Sequence, residues 1–158
     1  MKTDKALREQ LIALLNAENA HANFEAAVKD VPPEVRSKRP QGAQHSPWEV
    51  LEHLRIAQWD ILEFTRNPKH VSPDFPSGYW PASPEPPDAK AWDKSLSQFK
   101  SDLKAMEALV ADESIDLFKP LAHGTGQTVL REALVLADHN AYHLGEMILL
   151  RRLLGSWG

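Results

Sequence analysis

Residues 88–111, DAKAWDKSLSQFKSDLKAMEALVA, contain the pattern that decides the fold class. Apolar side chains recur in this stretch at alternating intervals of four and three residues: Trp92, Leu96, Phe99, Leu103, Met106 and Val110. This spacing places all of them on one face of an α-helix, which has to be buried against other elements. We therefore predict an amphipathic helix from about Asp88, a good N-cap, to Ala111.

Three further helices are predicted around this segment. The first covers about residues 3–29, where leucines recur at helical spacing. The second covers about residues 46–66 and starts with Ser46-Pro47-Trp48-Glu49, which fits a capping box with proline at the first helical position. The last covers about residues 128–154, and Gly155 is a plausible cap at its C-terminal end.

The connections between these helices are rich in proline, which interrupts helices. The alternation of apolar and polar residues that is typical of strands is not sustained anywhere in the chain. Amphipathic helices of this length bury their apolar faces best against one another. We therefore predict an all-α protein, a four-helix bundle, as a single domain over residues 1–158. Every connection is long enough to cross the bundle, so the spacing alone leaves the topology open.

Composition excludes several classes of function. The 158 residues include no cysteine, so a disulfide framework and a cysteine nucleophile are excluded, and a metal site has to use His, Asp or Glu. The net charge of -4 and the lack of a dense Lys/Arg run argue against a nucleic-acid partner. The charged N-terminus does not resemble a signal peptide, and no stretch is apolar enough for a membrane span. We expect a cytoplasmic protein without a membrane partner.

Histidines interrupt the apolar faces of the second and last helices. His53 lies three residues after Val50 and points inward, while His143 lies seven residues after Leu136 and occupies the position of a core leucine. His139 is one turn earlier on the same face as His143. Two imidazoles four residues apart can bind one metal ion, and a third from a facing helix completes a site.

The alternative is that these are ordinary core histidines held by hydrogen bonds, since pairs at this spacing also arise by chance. A metal site is favoured because burying three imidazoles without hydrogen-bond partners in one core would cost free energy, whereas one metal ion satisfies all three. The sequence argues against a zinc peptidase, because the motif of that class has a glutamate directly after the first histidine as general base, where this chain has Asn140.

Other polar residues receive weaker assignments. We interpret the three loop histidines as surface residues: His45, His70 and His123. We expect Glu18 and His21 to face water, although both fall near the inner face of the first helix. Glu49 and Glu146 stand one turn from His53 and His143, so either can accept an imidazole N–H, although such glutamates more often face solvent.

The connection 67–87 is long enough to be either functional or disordered, and its aromatic residues favour a packed loop. It leaves the second helix a few turns after His53 and contains Tyr79 and Trp80. We expect it to cover one end of the bundle and to shape access to the metal. The alternative is that its aromatic side chains only fill an end of the core.

Two histidine-bearing segments carry a family resemblance. Residues 46–54, SPWEVLEHL, and residues 138–146, DHNAYHLGE, resemble the DinB/YfiT-like superfamily of proposed metalloenzymes, as does the tail at 150–155, LRRLLG. The resemblance spans nearly the whole chain in length and helix order. It implies a bundle with long crossover-type connections, a metal site on His53, His139 and His143, and frequent homodimers. Members include transferases and isomerases that depend on a low-molecular-weight thiol.

These observations lead to one preferred function and two alternatives. We expect a metal-dependent enzyme, a thiol S-transferase or a hydrolase, acting on a small-molecule substrate; no catalytic residue is assigned. The cofactor is one divalent ion, zinc or nickel first, with iron or manganese as alternatives. The first alternative is a non-catalytic metal-binding or stress-related protein that acts through dimerisation or small-ligand binding. The second is a metal-free helical interaction module.

Overall fold

The computed structural model describes residues 2–158, so Met1, the first residue of the predicted domain, lies outside the described residues. Regular structure in this range is helical, apart from an isolated bridge between Pro120 and Thr128. The α-helices are α1 (Lys2–Leu15), α2 (Phe24–Val28), α3 (Pro47–Arg66), α4 (Ala91–Ala111) and α5 (Val129–Leu153). Short 3₁₀ turns lie at Pro33–Val35 and Ser77–Tyr79. The predicted all-α class is confirmed.

The four long helices form the predicted bundle. Helix α3 packs against α4 and α5, and α1 packs against the same two helices. Helices α4 and α5 therefore lie between α1 and α3, and the connection from α1 to α3 crosses from one side of the bundle to the other. The short α2 packs against α5. Within residues 2–158, the structure contains no helix of sufficient length and apolarity to cross a membrane.

The first helix is shorter than predicted, because residues 16–23 interrupt the expected helix over 3–29. The side chain of Asn16 donates to the carbonyl of Ile12, and Ala17 has a left-handed backbone with φ of 54°. The side chain of Asn23 then accepts from the backbone N–H of Ala26 and caps α2. The N–H groups of Ala17 and Glu18 bond the carbonyls of Leu14 and Ala13, so the left-handed residue closes the end of α1, and the Asn23 cap starts a new helix.

The starts of α3 and α5 follow the sequence signals. The hydroxyl of Ser46 accepts from the N–H of Glu49 at 3.2 Å, and the Glu49 carboxylate accepts from the N–H of Ser46 at 2.8 Å, so the capping box is present. Thr128 caps α5 by accepting from the N–H of Arg131 at 3.1 Å. Gly155, with φ of 67°, follows the end of α5 in the left-handed conformation expected of a C-terminal glycine.

The predicted N-cap of the third long helix was wrong. Helix α4 begins at Ala91, three residues later than expected. The carboxylate of Asp88 accepts from the N–H of Lys90 at 2.7 Å and so closes a turn before the helix.

Two apolar clusters fill the bundle, and a polar layer separates them. Along α3, the first cluster reaches Leu54 and the second includes Leu62; along α5, the second reaches Ala137 and the first resumes at Leu144. Between the clusters lies Gln58, which is fully buried. On α5, His139 and His143 lie in the same interval between the clusters, whereas His53 lies just before Leu54 on α3.

The orientation of Gln58 is fixed by its partners. Its amide nitrogen donates to the backbone carbonyl of Phe99 at 2.6 Å, and its amide oxygen accepts from the Asn140 side chain at 3.0 Å. Because a carbonyl can only accept, the Gln58 nitrogen has to face Phe99, and Asn140 has to donate. This pair ties α3, α4 and α5 together at mid-height.

Candidate metal centre

Three histidines converge beside the polar layer: His53 from α3, with His139 and His143 from α5. One ring nitrogen from each lies within 4.8 Å of the corresponding nitrogens of the other two. His53 is 9% exposed, and the other two are half-buried. The structure thus brings together the three residues that the sequence proposed as metal ligands.

Helix geometry accounts for this convergence. His139 and His143 are four residues apart on α5, so their rings are neighbours, with centroids 4.7 Å apart. His53 faces them from α3, which packs along α5. The three side chains therefore come from two rigid helices that the core holds in place, which is how a site keeps its geometry.

The separations between the Nε2 atoms suit a shared metal ion. The Nε2 atom of His53 lies 3.0 Å from that of His139 and 3.1 Å from that of His143. Two nitrogens bound to one ion at about 2.0–2.1 Å lie about 2.9 Å apart at a right angle and about 3.3 Å apart at a tetrahedral angle. Both observed separations fall between these values, so the donor set fits a single ion.

The partners of the outer ring nitrogens fix the tautomers of His53 and His143. His53 Nδ1 lies 2.8 Å from the carbonyl oxygen of Tyr79, which can only accept, so the ring proton is on Nδ1. His143 Nδ1 lies 2.8 Å from a carboxylate oxygen of Glu146, which also accepts. Neutral rings in these tautomers direct bare Nε2 lone pairs toward each other at 3.1 Å. A cation between them would turn this repulsion into binding.

Glu146 connects two histidines through one carboxylate. Its Oε2 accepts from His143, and its Oε1 lies 3.0 Å from Nδ1 of His45. Burial raises the pKa of Glu146, but the hydrogen bonds from His143 and His45 outweigh it, and the resulting pKa lies below its usual value. The carboxylate therefore stays ionised near neutral pH and holds the His143 ring in the Nδ1–H form.

Burial keeps His53 and His139 neutral. Burial lowers the pKa of His53, which the Tyr79 carbonyl partly offsets. For His139, burial first and the neighbouring His143 and His53 next lower the pKa to about 4. Only neutral imidazole binds a metal ion, so both rings are in the binding form at neutral pH.

The loop over 67–87 contacts the site through Trp80. The indole of Trp80 lies between two imidazoles, with its ring centroid 3.9 Å from that of His53 and 3.8 Å from that of His45. Its plane is within 1° of the His53 ring plane, so one face of that ring is covered. The loop is thus packed against the histidines, and its control of access stays a prediction.

Comparison with known families agrees with this architecture. A family model described as the DinB superfamily matches residues 6–147. The chain belongs to this superfamily. The matched range contains all three histidines, and their clustering in a DinB-superfamily fold fits a metal-binding protein of this family. Searches of curated proteins and of solved structures found no match.

Two loop histidines of this DinB-superfamily chain were wrongly assigned to the surface. The side chain of His45 is 25% exposed, pairs with Glu146 and stacks on Trp80. The side chain of His70 is 7% exposed and pairs with Asp60. The one available signal was that His45 directly precedes the Ser46 cap, which places it at the start of the helix that carries His53. His123 is exposed, as expected.

The remaining sequence predictions concern three glutamates and one further histidine. Glu146 is the acceptor for His143, as the spacing allowed. Glu49 is not a partner of His53, because its carboxylate is engaged in the capping box and by Arg39. Glu18 and His21 are exposed, as expected.

Proposed function

We propose that His53, His139 and His143 hold one divalent metal ion, and that the site activates a low-molecular-weight thiol or water for group transfer or hydrolysis. The observation that carries this proposal is the pair of Nε2 lone pairs on His53 and His143, directed at each other at 3.1 Å by hydrogen bonds on the opposite side of each ring. Such fixed tautomers are typical of metal-binding histidines.

The donor set indicates the class of ion. Three imidazoles are neutral ligands of intermediate softness, which suits zinc or nickel first, and iron or manganese as alternatives. Three protein ligands leave at least one position for a further ligand, which distinguishes catalytic from structural zinc sites. When bound, the ion supplies positive charge that lowers the pKa of a thiol or water ligand.

A groove of about 660 Å³ provides a route for a small molecule. His143, Glu146 and His45 line its polar part, and Leu149 and Leu153 line its apolar part. The polar part thus joins a candidate ligand to the ionised Glu146 carboxylate. We propose that the substrate enters here, with its reacting end toward His143.

The thiol has to come from outside the protein, because the chain contains no cysteine. The resemblance to thiol-dependent members of the superfamily supports a thiol S-transferase, and a hydrolase is the second candidate for the same site. Low-molecular-weight thiols are kept reduced in the cytoplasm, and we propose that the protein acts there.

We also propose a homodimer. Helix α5 carries an apolar stripe on its outer face, where Val135, Leu149 and Leu153 are 37%, 55% and 58% exposed. A second copy of α5 would bury this stripe and with it the apolar side of the groove, so the substrate would enter along the polar part lined by His45, His143 and Glu146. Contiguous exposed apolar surface often marks such contacts.

Cobalt substitution tests the proposed chemistry. A small thiol added to the cobalt(II) protein should change its visible spectrum, because thiolate ligation alters the cobalt bands, and the response should vanish in His143→Ala. The exposed-histidine variant His21→Ala is the matched control and should respond like the wild type. A response to azide or phosphate but not to thiols would favour the hydrolase. If no anion changes the spectrum, the metal has no open coordination position, and the non-catalytic metal-binding protein becomes the favoured function.

A further inference from the structure

We propose that Asp60 and Tyr79 form a latch that positions the 67–87 loop and thereby holds His53 in the orientation and tautomer that direct its Nε2 into the metal site. The inference rests on the proposed metal binding but requires no catalytic activity. The latch consists of Asp60 on α3, of Tyr79, which contacts both Asp60 and His53, and of the packed loop that carries Tyr79.

The anchor is Asp60, which is 7% exposed. Its Oδ2 accepts from the hydroxyl of Tyr79 at 2.6 Å, and its Oδ1 lies 2.7 Å from Nε2 of His70. Asp60 follows His53 by seven residues, which is about two turns of α3, so both lie on the same face of that helix. The loop that contacts Asp60 is therefore aligned with the metal ligand.

Tyr79 contacts Asp60 and the metal-ligand candidate His53 with different atoms. Its hydroxyl donates to Asp60, while its backbone carbonyl accepts from Nδ1 of His53 at 2.8 Å. Because a carboxylate oxygen can only accept, the Tyr79 hydroxyl is the donor in this pair. One residue thus transmits the position of Asp60 to His53.

The loop follows a tightly packed path into this contact. A Cβ atom added at Gly78 would lie 2.7 Å from Cβ of Pro73, so the two backbone segments approach closely only because residue 78 is glycine. Immediately after Tyr79, the ring of Trp80 stacks on His53. The carbonyl and the indole therefore reach the ligand ring from the same short segment.

The latch matters because an imidazole without a fixed partner exchanges between tautomers and rotates about its side-chain bonds. Removing the Tyr79 hydroxyl leaves the buried Asp60 carboxylate without one of its donors and frees the loop to move. The Tyr79 carbonyl then no longer selects the Nδ1–H form of His53. Loss of such an outer partner weakens metal binding by on the order of 10- to 100-fold.

The test compares three variants of the full chain. Tyr79→Phe removes only the hydroxyl of the latch, and Tyr142→Phe makes the same change at a residue that is 74% exposed and whose ring contacts His143. Asp60→Asn keeps an oxygen that can accept from Tyr79. Zinc affinity is measured by competition with a chromophoric chelator, and the tautomer of His53 is measured in metal-free protein by ¹⁵N NMR of labelled histidine. Thermal melting checks that each variant is folded.

The latch predicts that Tyr79→Phe binds zinc about tenfold more weakly than the wild type and that its His53 signal shows a mixture of tautomers. Tyr142→Phe should match the wild type in both measurements, and Asp60→Asn should stay within about threefold of it. Equal affinity and an unchanged tautomer in Tyr79→Phe would overturn the inference, as would an equally large loss in Asp60→Asn. A wild type that binds no metal would refute the proposed function, while the metal-free tautomer measurement still decides the latch.

Discussion

Acid should destabilise the metal-free protein through His139. The imidazole pKa is about 6.5 in an unfolded chain, but burial and the neighbouring histidines lower the pKa of His139 to about 4 in the fold. The unfolded state therefore takes up this proton first as the pH falls. Stability present above about pH 6.5 is lost progressively down to about pH 4. At about 1.4 kcal/mol per pH unit, this interval corresponds to about 3 kcal/mol.

Urea unfolding of metal-free protein, followed by circular dichroism between pH 7.5 and pH 4, measures this loss. His139→Gln removes the titrating group, so its free energy of unfolding should fall by about 3 kcal/mol less than that of the wild type over the same interval. His21→Gln replaces an exposed histidine and should follow the wild-type curve. Parallel curves for His139→Gln and the wild type would refute the argument, because the buried ring would then not be held neutral.

Three further substitutions test the packing and the assembly. Gln58→Leu leaves the buried Asn140 amide without its acceptor and should lower the free energy of unfolding by about 2 kcal/mol in urea titrations. Arg8→Met removes three hydrogen bonds to backbone carbonyls near the end of α4, and a loss of about 3 kcal/mol is expected in the same assay. Leu149→Glu places a charge on the exposed stripe of α5 and should convert a dimer to a monomer in sedimentation; a monomeric wild type would contradict the proposed dimer.

The sequence predicted the long helices because their signals are local. The apolar spacing of residues 88–111 and the capping box at Ser46 depend on residues within a few turns of one another, and both describe the structure. The convergence of His53 with His139 and His143 was predictable for the same reason. Each histidine stands at an inward position of a helix, and the bundle brings inward positions together.

The features that the sequence did not predict also have identifiable physical causes. The break after α1 lies in residues 16–23, where Ala17 adopts a left-handed conformation and Asn23 caps a new helix, and the helical spacing of apolar residues before and after the break concealed it. The contacts of Tyr79 with Asp60 and His53 join residues far apart in the chain through an irregular loop. No periodic pattern fixes such a path, so the partners of His45 and of the metal-ligand candidate His53 came only from the structure.

Elemental analysis of untagged protein purified at native abundance tests the central claim most directly. About one divalent ion per chain should co-purify, and His53→Ala, His139→Ala and His143→Ala should each lose most of it, because each removes one of three donors. His123→Ala, at an exposed histidine outside the cluster, should retain the ion. Full metal retention in His53→Ala and His143→Ala would contradict the assignment of the site.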